Sequence, residues 1–592
     1  MKRLALLLVA GLAFGAKPGP KPKPPQLTAE QRAAQALLKP LSLRDRVAQL
    51  ILASATADLV SSTSQEFQRY QHWIRDLHIG GLIIANSTQN GQVRSAEPYA
   101  TAVLLNRLQK LSKLPLLIGS DFERAASMRV SSAVRFPYNM AYGAADDIEA
   151  SRYEGLAAAR EARSLGVHWI FAPDADVNSN PENPIINIRS YGEDPDTVSR
   201  HVAAFIDGAH SDPKNLIMVT AKHFPGHGDT STDSHMDLAL LDKDREHLDS
   251  IELKPFETAI AHGVDAIMTA HMSVPAIEPE DIPATVSPKV LTGLLRNELK
   301  FQNIIITDAM DMQGLTKQFS GAEASIRALL AGADVLLMPP DPERVISEVV
   351  KAVQKGRIPR QRVDDSAARV LAAKIRLGLT KNRMVNLDSI GDVMDAKESV
   401  DSAQRVSDRA ITLVRNSVLN GGNLIPLKDA DRACVVIAVQ SRASVSGTRF
   451  AQDFARRAKN ARIVTVDATM PRAELDAAVG DTSQCSSIVV SANVAVAAYR
   501  GDVALGGELE PFIEKLTEGP APVVFVAVGN PYLLASFPKV AAYLATFSIT
   551  QPSETSAVKA LFGQIPITGR MPVSIPGFAA VGDGIQLPAR TR

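Results

Sequence analysis

Short apolar runs and amphipathic stretches alternate along the first 380 residues. The runs are Val47–Ala53, Gly81–Ala85, Pro115–Ser120, Val167–Pro173, Leu216–Lys222, Ala266–His271, Asn303–Asp308 and Ala333–Met338. Most of them are followed by Gly, Asn, Asp, His or Pro. Between them, segments such as Tyr99–Leu114, Ala150–Leu165 and Val290–Leu299 repeat their apolar positions with a helical period. Continuous apolar strands that alternate with helices describe a parallel sheet covered on both faces. Eight such units predict a (β/α)8 TIM-type barrel over residues 30–385. Sites on this architecture form where the strands end. The residues at those ends include Asp121, Asp174, Asp176, Lys222, His223, His271 and Asp308.

The pattern breaks over residues 386–404, a polar, poorly periodic stretch that reads as a linker. A helix is expected over Val400–Val414. New apolar strands then follow at Cys434–Val439, Arg462–Val466, Ser487–Ala492, Val523–Val528 and Ala541–Phe547. Helical segments separate them, so residues 405–592 are expected to form a doubly wound α/β domain, an αβα sandwich. Its glycine motifs, Gly506-Gly-Glu and Gly529-Asn-Pro, do not match a phosphate-binding loop.

Composition narrows the class. Hydrophobic residues make up 45% and charged residues 22%, which excludes a disordered chain. Sixty-four basic residues balance sixty-four acidic ones, so nothing points to nucleic acid. The two cysteines, Cys434 and Cys485, are too few for a Cys-rich metal site and leave one disulfide open. At the N-terminus, Lys2 and Arg3 precede an apolar run to Ala16. This reads as an export signal over residues 1–16, too short for a bilayer span of about 20 residues. The five prolines between Lys17 and Pro25 mark residues 17–29 as an extended tether. The mature chain is expected to be exported, periplasmic or extracellular, without stable membrane insertion.

Candidate chemistry concentrates in two stretches. Residues 222–235 read Lys-His-Phe-Pro-Gly-His-Gly-Asp-Thr-Ser-Thr-Asp-Ser-His, with three of the eleven histidines. They form a Gly-rich loop after a barrel strand. Asp233 can hold the His235 imidazole in one tautomer, which suits a proton donor and acceptor. A metal site from His223, His227, Asp229 and His235 is an alternative, although the spacing fits no common zinc pattern. The second stretch is Ile304-Ile-Ile-Thr-Asp-Ala-Met-Asp-Met, which places Asp308 at a strand end as a nucleophile, a base or a hydroxyl acceptor. Asp311 is expected to cap the next helix.

Lys222–His235 and Ile304–Met312 resemble glycoside hydrolase family 3, in particular its β-N-acetylglucosaminidase branch. So does Phe171-Ala-Pro-Asp-Ala-Asp-Val-Asn-Ser-Asn, running on to Ile188-Arg-Ser-Tyr-Gly-Glu-Asp-Pro. The likeness extends from about residue 40 to 380, and the two-domain layout also fits. It implies a nucleophile at Asp308 and an acid/base at His235, paired with Asp233. It also implies substrate contacts at Asp121, Arg129, Arg189, Lys222 and His223. One region departs: where the family has Asp-Gln-Glu-Gly-Gly-Arg-Val, this chain has Asp121-Phe-Glu-Arg-Ala-Ala-Ser-Met-Arg129. The glycines are gone, and Arg124 can take over part of the sugar grip.

The implied activity is a retaining exo-β-N-acetylglucosaminidase on peptidoglycan fragments or chitin-type oligosaccharides, with no metal or organic cofactor. Free imidazole titrates near pH ~6.5, so a histidine acid needs no burial to work near neutrality. Because spent imidazole is neutral, phosphate could also approach the intermediate, and phosphorolysis stays open. The rivals are a β-glucosidase or xylosidase of the same family, which uses a glutamate from the second domain, and a silent sugar-binding wall protein. Asp176 and Glu193 are next in line for the acid/base role. Every candidate precedes residue 310, so the barrel alone is expected to retain some activity.

Overall fold

In a computed structural model of the chain, residues 27–89, 92–419 and 422–590 are described. The expected export signal, and the tether as far as residue 26, lie outside them. No described helix is long and apolar enough to cross a membrane.

Eight parallel strands form the first sheet: β1 (Ile51–Thr56), β2 (Gly81–Ala85), β3 (Leu117–Ser120), β4 (Trp169–Ile170), β5 (Met218–Phe224), β6 (Ala266–Thr269), β7 (Ile304–Ile306) and β8 (Leu336–Leu337). Their order is β7–β6–β5–β4–β3–β2–β1–β8. Ile306 bridges Val335 in parallel, and the Thr307 N–H donates to the Val335 carbonyl at 3.1 Å, so the sheet closes. The barrel follows from the sequence pattern because its strands are buried at nearly every position. Met218–Phe224, for example, is buried at all seven positions. That strand runs two residues beyond the apolar run, carrying Lys222 and His223 inside the barrel wall.

Six strands form the second sheet: β9 (Thr412–Asn416), β10 (Cys434–Val439), β11 (Arg462–Asp467), β12 (Ile488–Val494), β13 (Val523–Gly529) and β14 (Ala542–Ala545). The order is β9–β14–β13–β12–β10–β11, with β9 antiparallel at one edge and the rest parallel. The expected helix over Val400–Val414 is Lys397–Ala410, and its last residues turn into β9. Thr412 and Leu413 pair with Ala545 and Leu544, and the β-branched Thr412 and Val414 favour the strand. The first part of the stretch read as a linker folds into short helical turns whose Ile390 and Met394 are buried, and residues 397–404 already belong to the helix Lys397–Ala410.

Strand periodicity explains why both faces of the second sheet are apolar. Val436, Ala438, Val490 and Ala492 belong to the same continuous apolar cluster as the barrel. Their neighbours Val435, Ile437, Val439 and Val489 belong to a separate cluster on the other face. The sheet is therefore welded to the barrel through one face. Cys434, at the start of β10, is bonded to Cys485, with Cα atoms 5.6 Å apart across 51 residues of sequence. A loop of that length predicts that Cys485→Ser lowers stability by roughly 2–4 kcal/mol. Denaturant unfolding with and without reductant checks this. The wild-type midpoint should fall on reduction and that of the variant should not move.

Candidate active site

A cavity of about 380 Å³ lies at the C-terminal ends of the barrel strands. Asp121, Arg189, Lys222, His223, His235 and Asp308 all line it, and so does Arg129. The seven come from the ends of four barrel strands and the connections that follow them. Asp233 lies just behind His235.

One wall is a belt of alternating charge. Arg129 meets Asp121 at 2.5 Å, and Lys222 reaches Asp121 at 3.2 Å and Glu123 at 2.6 Å. Arg189 clamps Glu123 with two N–H donors at 3.0 and 2.8 Å, and lies 3.5 Å from Asp174. Burial alone would raise the Glu123 carboxyl, but the Arg189 and Lys222 cations overcome it and hold Glu123 well below the usual range. Asp121 is lowered against its own burial by Lys222 and Arg129. Asp174 goes the other way: burial and the neighbouring Asp176 carboxylate raise it well above the usual range. The belt fixes every cation at a known place on the wall, with donors left over for hydroxyl or carbonyl oxygens.

Asp308 follows β7, and its carboxylate accepts the Ala309 N–H at 2.7 Å. Burial works against its charge. The nearby His223, His271 and His235 outweigh that and lower the carboxyl, so Asp308 is an anion at neutral pH. Such a carboxylate can attack an electrophilic carbon. Across the cavity, the His235 Nδ1–H donates to Asp233 at 2.8 Å. This leaves Nε2 free for proton exchange. Burial raises Asp233, but the His235 side chain and the His235 and Tyr499 N–H groups draw it below its ordinary value.

Tyr499 belongs to the second domain. Its N–H donates to the other Asp233 oxygen at 2.8 Å, and its ring lies edge-on to His235, with centroids 5.2 Å apart. Val496, Ala497 and Ala498 continue this wall of the cavity. The candidates named from the sequence all lie in the barrel, and the second domain adds this wall to the cavity. Sequence reading missed this loop because an apolar Val-Ala-Ala-Tyr stretch after a strand carries no chemical signal. Glu123 was also missed as the hub, although it stands two residues after Asp121. Arg124 stacks its guanidinium 4.2 Å over Tyr138, and both line the cavity.

Other expectations change. Asp311 caps no helix: the turn at Gln313–Thr316 starts from Met312 without a side-chain cap, and Asp311 faces the cavity. The four residues of the alternative metal site are not brought together. His223 bonds Asp176 at 2.8 Å, His227 bonds Ser234 at 3.0 Å and Thr230 at 2.7 Å, and His235 bonds Asp233. Asp176 is a buried positioning group that also accepts the His227 N–H at 2.6 Å. Glu193 accepts the Ser574 N–H and hydroxyl of the second domain, both at 2.6 Å.

A barrel with an anionic Asp308, a carboxylate-held imidazole and a belt of fixed donors defines a glycoside hydrolase. Residues 42–373 match the model of the glycosyl hydrolase family 3 N terminal domain, and the chain belongs to that family. It is 28% identical over 560 residues to a beta-hexosaminidase A of Pseudoalteromonas piscicida, covering 84% of this chain and 89% of that protein. A beta-N-acetylglucosaminidase/beta-glucosidase of Cellulomonas fimi is 27% identical over 529 residues, with the same coverages of 84% and 89%. The solved family 3 beta-N-acetylglucosaminidase of Paenibacillus sp. FPU-7 superposes with a TM-score of 0.78 at 30% identity, over 90% of this chain and 99% of that one.

A hydrogen bond to a charged group contributes about 1.5–3 kcal/mol. Tyr499 has φ +65°, so Tyr499→Gly keeps the N–H and relieves strain, whereas Tyr499→Pro removes the donor and cannot adopt that φ. Tyr499→Pro should lower kcat by about 10–100-fold, and Tyr499→Gly by much less. Steady-state kinetics on two variants with matched unfolding midpoints measure the difference. Equal losses would make the ring, not the N–H, the contributing part.

Proposed function

We propose that the protein is a retaining exo-β-N-acetylglucosaminidase that hydrolyses terminal N-acetylglucosamine from peptidoglycan fragments or chitin-type oligosaccharides. The observation that carries this is an anionic Asp308 sharing one cavity with an imidazole oriented by Asp233. In the first step, an Asp308 oxygen bonds to the anomeric carbon as the bond to the aglycone oxygen breaks. His235 gives that oxygen its proton. In the second step, His235 takes a proton from water, and the water oxygen displaces Asp308. Arg129, Arg189, Lys222, Asp121 and His223 hold the sugar's oxygens, with Glu123 fixing two of the cations. No metal or organic cofactor enters either step.

The acetamido-sugar reading is supported by the names of the beta-hexosaminidase A and of the Paenibacillus enzyme, while the name of the Cellulomonas fimi relative carries both activities. The loop supplies further support. A glucosidase of this family takes its acid from a second-domain glutamate. Among the described residues lining this cavity, that domain supplies Val496, Ala497, Ala498 and Tyr499, none of them a carboxylate. The cavity size falls within the range of single small-ligand sites, which favours removal of one terminal sugar at a time. Export is proposed from the N-terminal signal, with the Cys434–Cys485 bond in keeping with an oxidising compartment.

A nitrophenyl-sugar panel tests the reading. The N-acetylglucosaminide should be cleaved far faster than the glucoside or xyloside, with free N-acetylglucosamine as product even in phosphate buffer. Equal rates would overturn the sugar assignment, N-acetylglucosamine 1-phosphate would overturn hydrolysis, and no cleavage would mean a silent binding protein.

A leaving-group series tests the division of labour. His235→Ala should slow cleavage of alkyl or sugar aglycones by roughly 10²–10⁴-fold more than that of a dinitrophenyl aglycone. With the latter, the glycosyl-enzyme should accumulate on Asp308, visible by intact mass, and azide should release it. Asp308→Ala should be inactive on both. A uniform loss across the series with no azide effect would remove the acid/base role from His235.

A further inference from the structure

A second cluster lies outside the sugar cavity, at the far end of the histidine loop. It comprises Asp229, His247 and Glu252, whose donor atoms all lie within 4.8 Å of one another. His247 Nε2 is 3.4 Å from Asp229 Oδ2 and 3.3 Å from Glu252 Oε1. Both are ion-pair contacts that lack hydrogen-bond geometry. The histidine–aspartate pairs of the same loop, His223–Asp176 and His235–Asp233, both close to 2.8 Å. Glu252 is fully buried, and neither of its oxygens has a hydrogen-bond partner; His247 Nε2 has none either. A buried carboxylate without donors is costly, and either a proton or a cation can neutralise it.

Lys243 answers only part of that need. Its ammonium lies 2.9 Å from Asp229 Oδ2 on a side chain 39% exposed. One positive charge faces two carboxylates, and it pairs with Asp229. The donor spacing fits a metal better. Zinc bonds of about 2.0–2.2 Å at tetrahedral angles place neighbouring donors roughly 3.3–3.5 Å apart. One imidazole nitrogen and two carboxylate oxygens suit zinc or a similar divalent transition ion. They do not suit calcium, which takes six to eight oxygens at longer range.

Local packing presents these donors. The His247 N–H is held by Asp244 at 2.8 Å at the start of a helical turn. A Cβ on Gly226 would stand 2.6 Å from the Glu252 Cβ, so only glycine lets the loop lie flat on the Glu252 segment. Gly228 is likewise pressed against the Val177 carbonyl, where a Cβ would come within 1.8 Å. The backbone that leads to Asp229 is thereby closely packed on both sides.

We propose that Asp229, His247 and Glu252 form a divalent-cation site of zinc type. The ion would staple the loop that carries Asp233 and His235 to residues 244–253, with Lys243 displaced into solvent. The site is structural and distinct from the sugar chemistry.

The test uses the full chain after chelator treatment and dialysis, with Zn²⁺ as the probe. Equilibrium dialysis with metal analysis should find one tight Zn²⁺ per chain, and saturation should raise the unfolding midpoint. His247→Ala should weaken binding by at least ~100-fold and abolish that rise. Lys243→Met removes the competing ammonium and should tighten binding. Absence of a saturable site, or a site indifferent to both substitutions, would overturn the proposal. So would a site lost on substitution of His223, since the buried Asp174, Asp176 and His223 also approach one another. If His247→Ala does not fold, Co²⁺ in the wild-type chain replaces it. An intense visible band of a four- or five-coordinate ion is expected, and a weak octahedral spectrum would overturn the site.

Discussion

A carboxylate taken out of water has to be answered by charge, and the site depends on how Glu123 is answered. Its two oxygens are shared between the Arg189 fork and the Lys222 ammonium. Lys222 then reaches Asp121, which meets Arg129. Removing Glu123 would leave two buried cations competing for Asp121 and Asp174, and the donors facing the cavity would lose their places. Buried ion pairs of this kind add little net stability, because desolvation offsets their attraction. What they supply is position. The ends of three barrel strands are tied to one another at the mouth.

The same economy governs Asp233. One oxygen orients His235 and the other is held by the Tyr499 N–H from the second domain. The imidazole is thus aimed by a barrel residue that is itself aimed from outside the barrel. In the proposed reaction this makes the second sheet part of the proton-transfer apparatus without lending it a titrating side chain.

Much of this was legible in the sequence. The eight strands showed themselves because a sheet covered on both faces must be continuously apolar, and their ends located Asp121, Lys222 and Asp308. The Asp-Ser-His spacing placed a carboxylate against an imidazole. What stayed hidden was relational. Strand β9 was read as the tail of a helix because Ile411–Val414 is apolar under either period, and only its pairing with Ala542–Ala545 decides. Glu123 was visible but unassigned, since its importance lies in two partners 66 and 99 residues away. Tyr499 contributes a backbone N–H, and no side-chain pattern can advertise that. Asp311 followed the spacing of a cap, yet the chain reached the next helix through Met312.

The edge pairing of β9 with β14 has a consequence in time. Thr412 must wait for Ala545 before its strand can join the sheet. The loop bearing Tyr499 is anchored between strands β12 and β13, which lie inside that span. The barrel's own strands, by contrast, are complete once residue 337 has been made. A growing chain can therefore close its barrel early, while His235 remains without its outer support until nearly the whole polypeptide exists. A chain that ends before Tyr499 would carry the barrel strands without the N–H that holds the outer Asp233 oxygen.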